Sequence, residues 1–197
     1  MKTVWIILIV FLAGCSVTKP YVSEYTLAPK LENKDYLSKM CKEKSLKIGQ
    51  VFSSNSLMSH KMKYITDEYQ EFAFTQSEWA RSPNRLISDE LIKAIRSSGL
   101  FFNVNSFKSR AKTDLLLETH VEKFIQYFDN NSEKSYVEVV ITLNLINTKN
   151  SKSISHATFN SKLDTLSVDA KGGVVALNSA LSNVLLKTND WLEDVCR

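Results

Sequence analysis

Glycine is scarce in this chain, with five in 197 residues, at Gly14, Gly49, Gly99, Gly172 and Gly173. Their spacing excludes a Walker phosphate loop, a dinucleotide fingerprint and a Gly-x-Ser-x-Gly nucleophile elbow. Histidine is just as thin: His60, His120 and His156 each lack a second His or Cys at ligand spacing, so no metal site is expected. Carboxylates adjoin at Asp67-Glu68 and Asp89-Glu90, but neighbours along a strand or helix point different ways, which disfavours general acid–base pairing. No catalytic residue and no cofactor is assigned, and an enzyme is not expected. Long apolar runs are missing too. The opening run from Val4 to Leu12 is about half of what a membrane span needs.

That run, preceded by Lys2, has the length of a signal peptide, and small residues follow it. The tetrad Leu12-Ala13-Gly14-Cys15 resembles a bacterial lipobox. The expectation is that residues 1–14 are removed and that Cys15 carries diacylglycerol on its sulfur and an acyl chain on its new amine. The bland alternatives are ordinary secretory cleavage near Ala13 and an uncleaved short anchor. One acyl chain binds a membrane marginally, whereas two or three hold a protein almost permanently. Ser16 stands where an inner-membrane retention signal would usually place Asp. By resemblance to lipoprotein sorting rules, the periplasmic leaflet of the outer membrane is the expected location.

With 44% hydrophobic residues, the remainder is able to bury one core, and a single domain is the default. The formal net charge of +4 loses one with Lys2 and says little about partners. The basic residues look spread rather than striped, and this, with export, disfavours nucleic acid. If Cys15 is lipidated, Cys41 and Cys196 remain, and an even remainder in an oxidising compartment suggests a disulfide. The other reading is two thiols that never meet. Pro20 and Pro29 lie in a stretch with little apolar periodicity, so residues 15–35 read as a lipidated N-terminus and tether and residues 36–197 as the periplasmic domain. Within the tether, Tyr25-Thr26-Leu27 reads as either linker or a first edge strand.

Strands are expected at Leu46–Phe52, as a hairpin over Lys61–Phe74, within Phe101–Phe107, and at Asp114–Phe128, where Leu115, Leu117, Val121, Ile125 and Tyr127 share a parity. Tyr136–Ile146 alternates most cleanly, with Val137, Val139, Ile141, Leu143 and Leu145 on one face, and Lys152–Leu163 returns as its antiparallel partner. Ser82-Pro83 starts a helix, the serine oxygen accepting from free N–H groups, and Gly99 closes it. A second helix runs from Asp169 to Val195 on a stripe that includes Val174, Leu177, Leu181, Val184 and Trp191, broadened by Val175. The order predicts an α+β fold: a mainly antiparallel sheet with two principal helices packed on one face.

Trp79, in Glu78-Trp79-Ala80-Arg81, is able either to seal the end of the sheet or to present its ring to a partner. Gly172-Gly173 has two readings as well: a ligand-lining helix start, or an easing of the helix's first turn or its close packing. Asn130-Asn131-Ser132 matches a glycosylation sequon, although a loop between strands accounts for it better.

Taken together, Leu12–Cys15, Tyr25–Leu27, Trp79-Ala80, Phe101–Val104 and Asp114–Leu117 occur in an order that resembles the ABC-type transport auxiliary lipoprotein family. The lysine-rich Lys39–Lys47 and the Cys41 and Cys196 pair depart from that pattern. The resemblance implies an outer-membrane lipoprotein that does not bind ATP. It would serve an ABC transporter carrying a mammalian-cell-entry type periplasmic protein, which moves phospholipid or other hydrophobic molecules. Such a protein would dock that conduit, and assembly as a homo-oligomeric ring is part of the implication. The alternative from a different class is a lipoprotein activator of a cell-wall (peptidoglycan) synthase, for which the tether looks short.

Overall fold

The computed structural model describes residues 21–31, 34, 36, 40–66, 69–131 and 133–197. Eight strands form one sheet: β1 (Ser23–Tyr25), β2 (Ser45–Ser53), β3 (Lys61–Thr66), β4 (Gln70–Trp79), β5 (Asn103–Asn105), β6 (Leu115–Phe128), β7 (Ser135–Asn147) and β8 (Lys152–Asp164). Two helices accompany it, α1 (Pro83–Ser97) and α2 (Ala170–Val195). The fold is α+β, as the element order predicts.

The axis of the sheet is β6. One of its edges pairs antiparallel with β7 along its whole length, and β7 pairs antiparallel with β8. The other edge is shared. There β2 pairs parallel with Leu115–Val121, and β3 pairs parallel with Gln126–Phe128. Beyond β2 lies β5, also parallel, and beyond β3 come antiparallel β4 and then parallel β1. The long pairings are antiparallel, but the sheet is mixed, because β2 and β3 both run in the direction of β6.

Alternation dictates the core. In β7 every second residue from Val137 to Leu145 is buried, and in β6 Leu115, Leu117, Thr119 and Val121 meet it. The register then shifts between Val121 and Lys123, leaving Glu122 as an extra residue. A bulge of one residue exchanges the two faces of everything after it. Phe124 and Gln126 therefore point inward, while Ile125 and Tyr127 point outward, against the single parity expected for this strand. Tyr127 stacks instead on Tyr136, ring centres 4.9 Å apart.

The inward face carries α2 across β7 and β8, and α1 over β2 and β5. The Asp169 side chain caps α2 by accepting from the Gly172 N–H at 2.6 Å. Ser82 does not cap α1 through its hydroxyl. Its carbonyl accepts from the Arg85 and Leu86 N–H groups, and Pro83 at the first position supplies the fixed φ. Gly99 closes α1 with φ +64°, a conformation that glycine adopts without penalty. Val175 is exposed on the outer side of α2, and Trp191 is half-buried, its indole N–H donating to Ser155 Oγ at 3.1 Å.

The expected tether is corrected by the fold. From Ser23 onward the chain belongs to the domain: β1 pairs with β4 and Leu27 is buried. The following residues lie along α2. The Ala28 N–H donates to Asn178 Oδ1 at 2.6 Å, Ser182 Oγ donates to the Lys30 carbonyl, and Lys34 Nζ sits 2.6 Å from Asp190. Polar side chains spaced along one helical face thus hold a strap whose apolar residues enter the core. The strap delivers Cys41 to Cys196 just past the end of α2. The two form a disulfide with Cα atoms 5.4 Å apart. Among the described residues, no helix is long and apolar enough to cross a membrane.

Candidate docking surface

With both helices on one face, no element among the described residues covers the other face of β6, β7 and β8. Its outward residues form cross-strand pairs. The Thr142 and Thr158 hydroxyls are 2.7 Å apart, Asn144 Nδ2 donates to Glu118 Oε2 at 3.1 Å, and Lys123 Nζ donates to Glu138 at 2.9 Å. Hydrogen bonding to Glu138 raises the Lys123 pKa, and burial raises that of Tyr127 beside it. Phe52 stands largely exposed at the margin of this face, opposite His120.

This face ends in a cluster of positive charge. Pairing of Leu46 with Leu115, and of Leu115 with Asn147, brings the starts of β2 and β6 and the β7–β8 turn to one end of the sheet. Those segments and the end of the β5–β6 connection carry Lys42, Lys44, Lys47, Arg110, Lys112, Lys149 and Lys152. Among the described residues none of these seven forms an ion pair. The view of the basic residues as spread along the chain does not survive folding, because β-pairing gathers three distant stretches at one place. No single window of sequence carries that signal. The lysine density of Lys39–Lys47 was its one visible part.

At this end a groove of about 590 Å³ is lined by Ser45, Lys47, Lys112, Thr113, Asp114, Leu116, Thr148 and Lys149. Asp114 organises it. Its carboxylate accepts from the Ser45 N–H at 2.9 Å and from Ser45 Oγ at 2.8 Å, and its carbonyl accepts from the Thr148 N–H at 3.1 Å. The two Ser45 donors, the N–H first, hold the Asp114 pKa below its ordinary value, with Lys149 adding to the effect. One carboxylate is therefore occupied in tying strands together, and three ammonium groups remain free around it. The groove suits carboxylates or phosphates presented by a partner. Met40 and Phe102, both exposed near the same end, add apolar contact.

The other candidate residues fall elsewhere. Trp79 is 3% exposed, its ring 5.7 Å from that of Phe124. It packs with Leu57 and Met62 in the notch where β2 and β3 part along β6. A partner has no access to it, and the partner-facing reading gives way to the core reading for that reason. Cys15 lies outside the described residues, as do Asp67, Glu68 and Ser132. Asp89 pairs with Arg81 at 2.7 Å and Glu90 with Lys93 at 2.5 Å. Among the described residues no three His, Cys, Asp or Glu side chains gather as metal ligands would. Gly172 and Gly173 serve close packing. A Cβ on Gly172 would lie 2.1 Å from the Ser167 carbonyl oxygen, and one on Gly173 would lie 2.0 Å from Gln126 Oε1.

No family model matches the chain, and neither does any curated protein. Solved structures do. The crystal structure of a Xanthomonas campestris protein of the DUF330 family superposes with a TM-score of 0.78 at 14% identity, covering 88% of this chain and 96% of that one. The chain has that protein's fold. A second crystal structure, of an uncharacterised protein, superposes at 0.67 with 15% identity, over 87% of this chain and 98% of the other. A lipoprotein of Neisseria meningitidis overlays more loosely, at 0.38 and 12% identity over 73% of this chain and 99% of that one.

Proposed function

We propose that this chain is an envelope accessory lipoprotein. In this reading it is anchored through Cys15 to the periplasmic side of the outer membrane and docks the mammalian-cell-entry type protein of an ABC transporter that moves phospholipid or other hydrophobic molecules. It would bind no ATP and do no chemistry of its own. The observation that carries this is the end with seven cations unpaired among the described residues, continuous with a sheet face that no described element covers. That is a surface built for contact, with no nucleophile, acid–base pair or cradle beside it among the described residues. The resemblance of Leu12–Cys15 and the motifs after it names the transporter class.

The synthase-activator alternative needs reach. With the strap docked from Ser23, only the seven residues from Ser16 to Val22 span membrane and domain, which is at most about 25 Å fully stretched. A contact close to the membrane fits better.

The test is a pull-down from envelope extracts with the full tagged chain, beside Lys47→Glu/Lys112→Glu/Lys149→Glu at matched melting temperature. Capture of the conduit protein by the parent, lost in the triple variant and weakened by added salt, supports the reading. Capture of a synthase, or equal capture by both chains, overturns it. Permease, ATPase and conduit genes beside this one would be independent support.

A further inference from the structure

Opposite the cations, the domain ends differently. Thr66 and Ser135 both pair with Phe128, and Asp164 pairs with Tyr136. The β3–β4 hairpin tip and the β8–α2 connection therefore lie at one end. These segments place large apolar side chains in solvent: Tyr69 is 90% exposed and Leu166 93%, with Phe72 and Val168 also out. Between them lies a cleft of about 500 Å³ whose walls include Tyr64, Phe74 and Phe128. The Tyr64 ring lies 4.6 Å from Phe74 and 5.1 Å from Phe128. The connections here carry more acid than base in the sequence, Asp67, Glu68, Asp129, Glu133, Asp164 and Asp169 against Lys134 and Lys171. Apolar tips on two connections, rimmed by polar residues, mark an interaction surface rather than solvated loops.

The path of the chain identifies the occupant. Because β1 runs parallel to β4, with Ser23 opposite Ser77, the residues before it extend toward the hairpin tip. Tyr21, 85% exposed and two residues before Ser23, lies on the stretch that leads toward this end. Cys15 is six residues earlier, within about 20 Å at full extension.

We infer that this end sits in the headgroup region of the membrane that holds the anchor, with Tyr69 and Leu166 inserted. This rests on the lipoprotein reading of Cys15. Tyrosine and leucine suit that zone, the phenol meeting water and headgroups while the apolar parts meet acyl chains. Strand β6, about 45 Å long, then stands away from the membrane and carries the cationic end outward to the partner. Since the connections are net acidic, the seating rests on the apolar side chains and the acyl anchor and gains nothing from anionic lipid.

The test uses the full chain, purified with its native modification and reconstituted in phosphatidylethanolamine–phosphatidylglycerol vesicles containing brominated lipid. Tyr69→Trp and Leu166→Trp report on the apolar end and Lys149→Trp on the other, each read against the parent's own fluorescence. Quenching by about twofold at the first two positions and none at the third is the expected result. Equal quenching at all three, or none at any, in protein whose intact mass shows acylation overturns the inference and leaves the lipoprotein reading standing. An unacylated mass removes both. Leu166→Cys chains that cross-link to one another in the same vesicles, with Leu166→Trp unquenched, would instead make this end a contact between copies.

Discussion

Gly173 shows how a single side chain is fixed by a strand it never pairs with. Gln126 reaches the first turn of α2 because the bulge turned it inward, and its amide donates to Ser135 Oγ at 3.0 Å and to the Asp169 carbonyl at 3.2 Å. A methyl on Gly173 would collide with that amide. Gly173→Ala should therefore destabilise by about 1–3 kcal/mol although alanine favours helix. Urea unfolding of Gly173→Ala, Gln126→Ala and the double variant checks this, and the double should be less than additive, because removing the amide removes the collision. Trp79→Ala acts through burial, and a loss of about 3–5 kcal/mol is expected, with docking per folded molecule unchanged. Asp114 has its pKa depressed in the folded state. Its contribution is complete above the ordinary carboxylate value and is lost as pH falls through the lower folded value. The gap in melting temperature between the parent and Asp114→Asn should therefore be widest near neutral pH and close in acid. A gap independent of pH would show that the ionised form is not what Ser45 holds.

At the scale of elements, what was legible in the sequence was what repeats locally. The alternation from Val137 to Leu145 and the three–four spacing after Pro83 both formed as read, since each depends on one face meeting one core. What escaped has no local signature. Glu122 and Lys123 are polar residues in a strand whose outward face is polar, so composition does not reveal that one of them is extra. Parallel pairing of β2 and β3 with β6 joins residues far apart in sequence. The gathering of Lys47, Lys112 and Lys149 follows from that pairing and was invisible for the same reason. Deleting Glu122 tests the bulge. Phe124 and Gln126 would turn to solvent and Ile125 and Tyr127 inward, and loss of the buried Phe124 ring alone removes about 2–3 kcal/mol of burial. A lowered urea midpoint with raised dye binding is expected, whereas an unchanged midpoint would mean that the strand re-registers at no penalty.

Across the whole molecule, the strap decides how the two ends relate. It begins at the apolar end, runs down α2 and is locked at Cys41–Cys196 near the cationic end, so the segment that leads to the membrane is fixed to the helix that spans the domain. The bridge closes 155 residues. In the chain-entropy account, a loop of that size restricts the unfolded chain by about 5 kcal/mol. Cys41→Ser/Cys196→Ser should therefore lower the urea midpoint markedly, and reduction of the parent should reproduce the effect. The strap gives a second readout. If the bridge also pins it, the Ala28 amide, bonded to Asn178, should exchange hydrogen faster in the double serine variant, while amides in the centre of β7 slow or quicken only in step with global stability. Equal acceleration of both would confine the disulfide to the unfolded state. Selective acceleration at Ala28 would make it the clamp that keeps the membrane-leading segment aligned with the body of the domain.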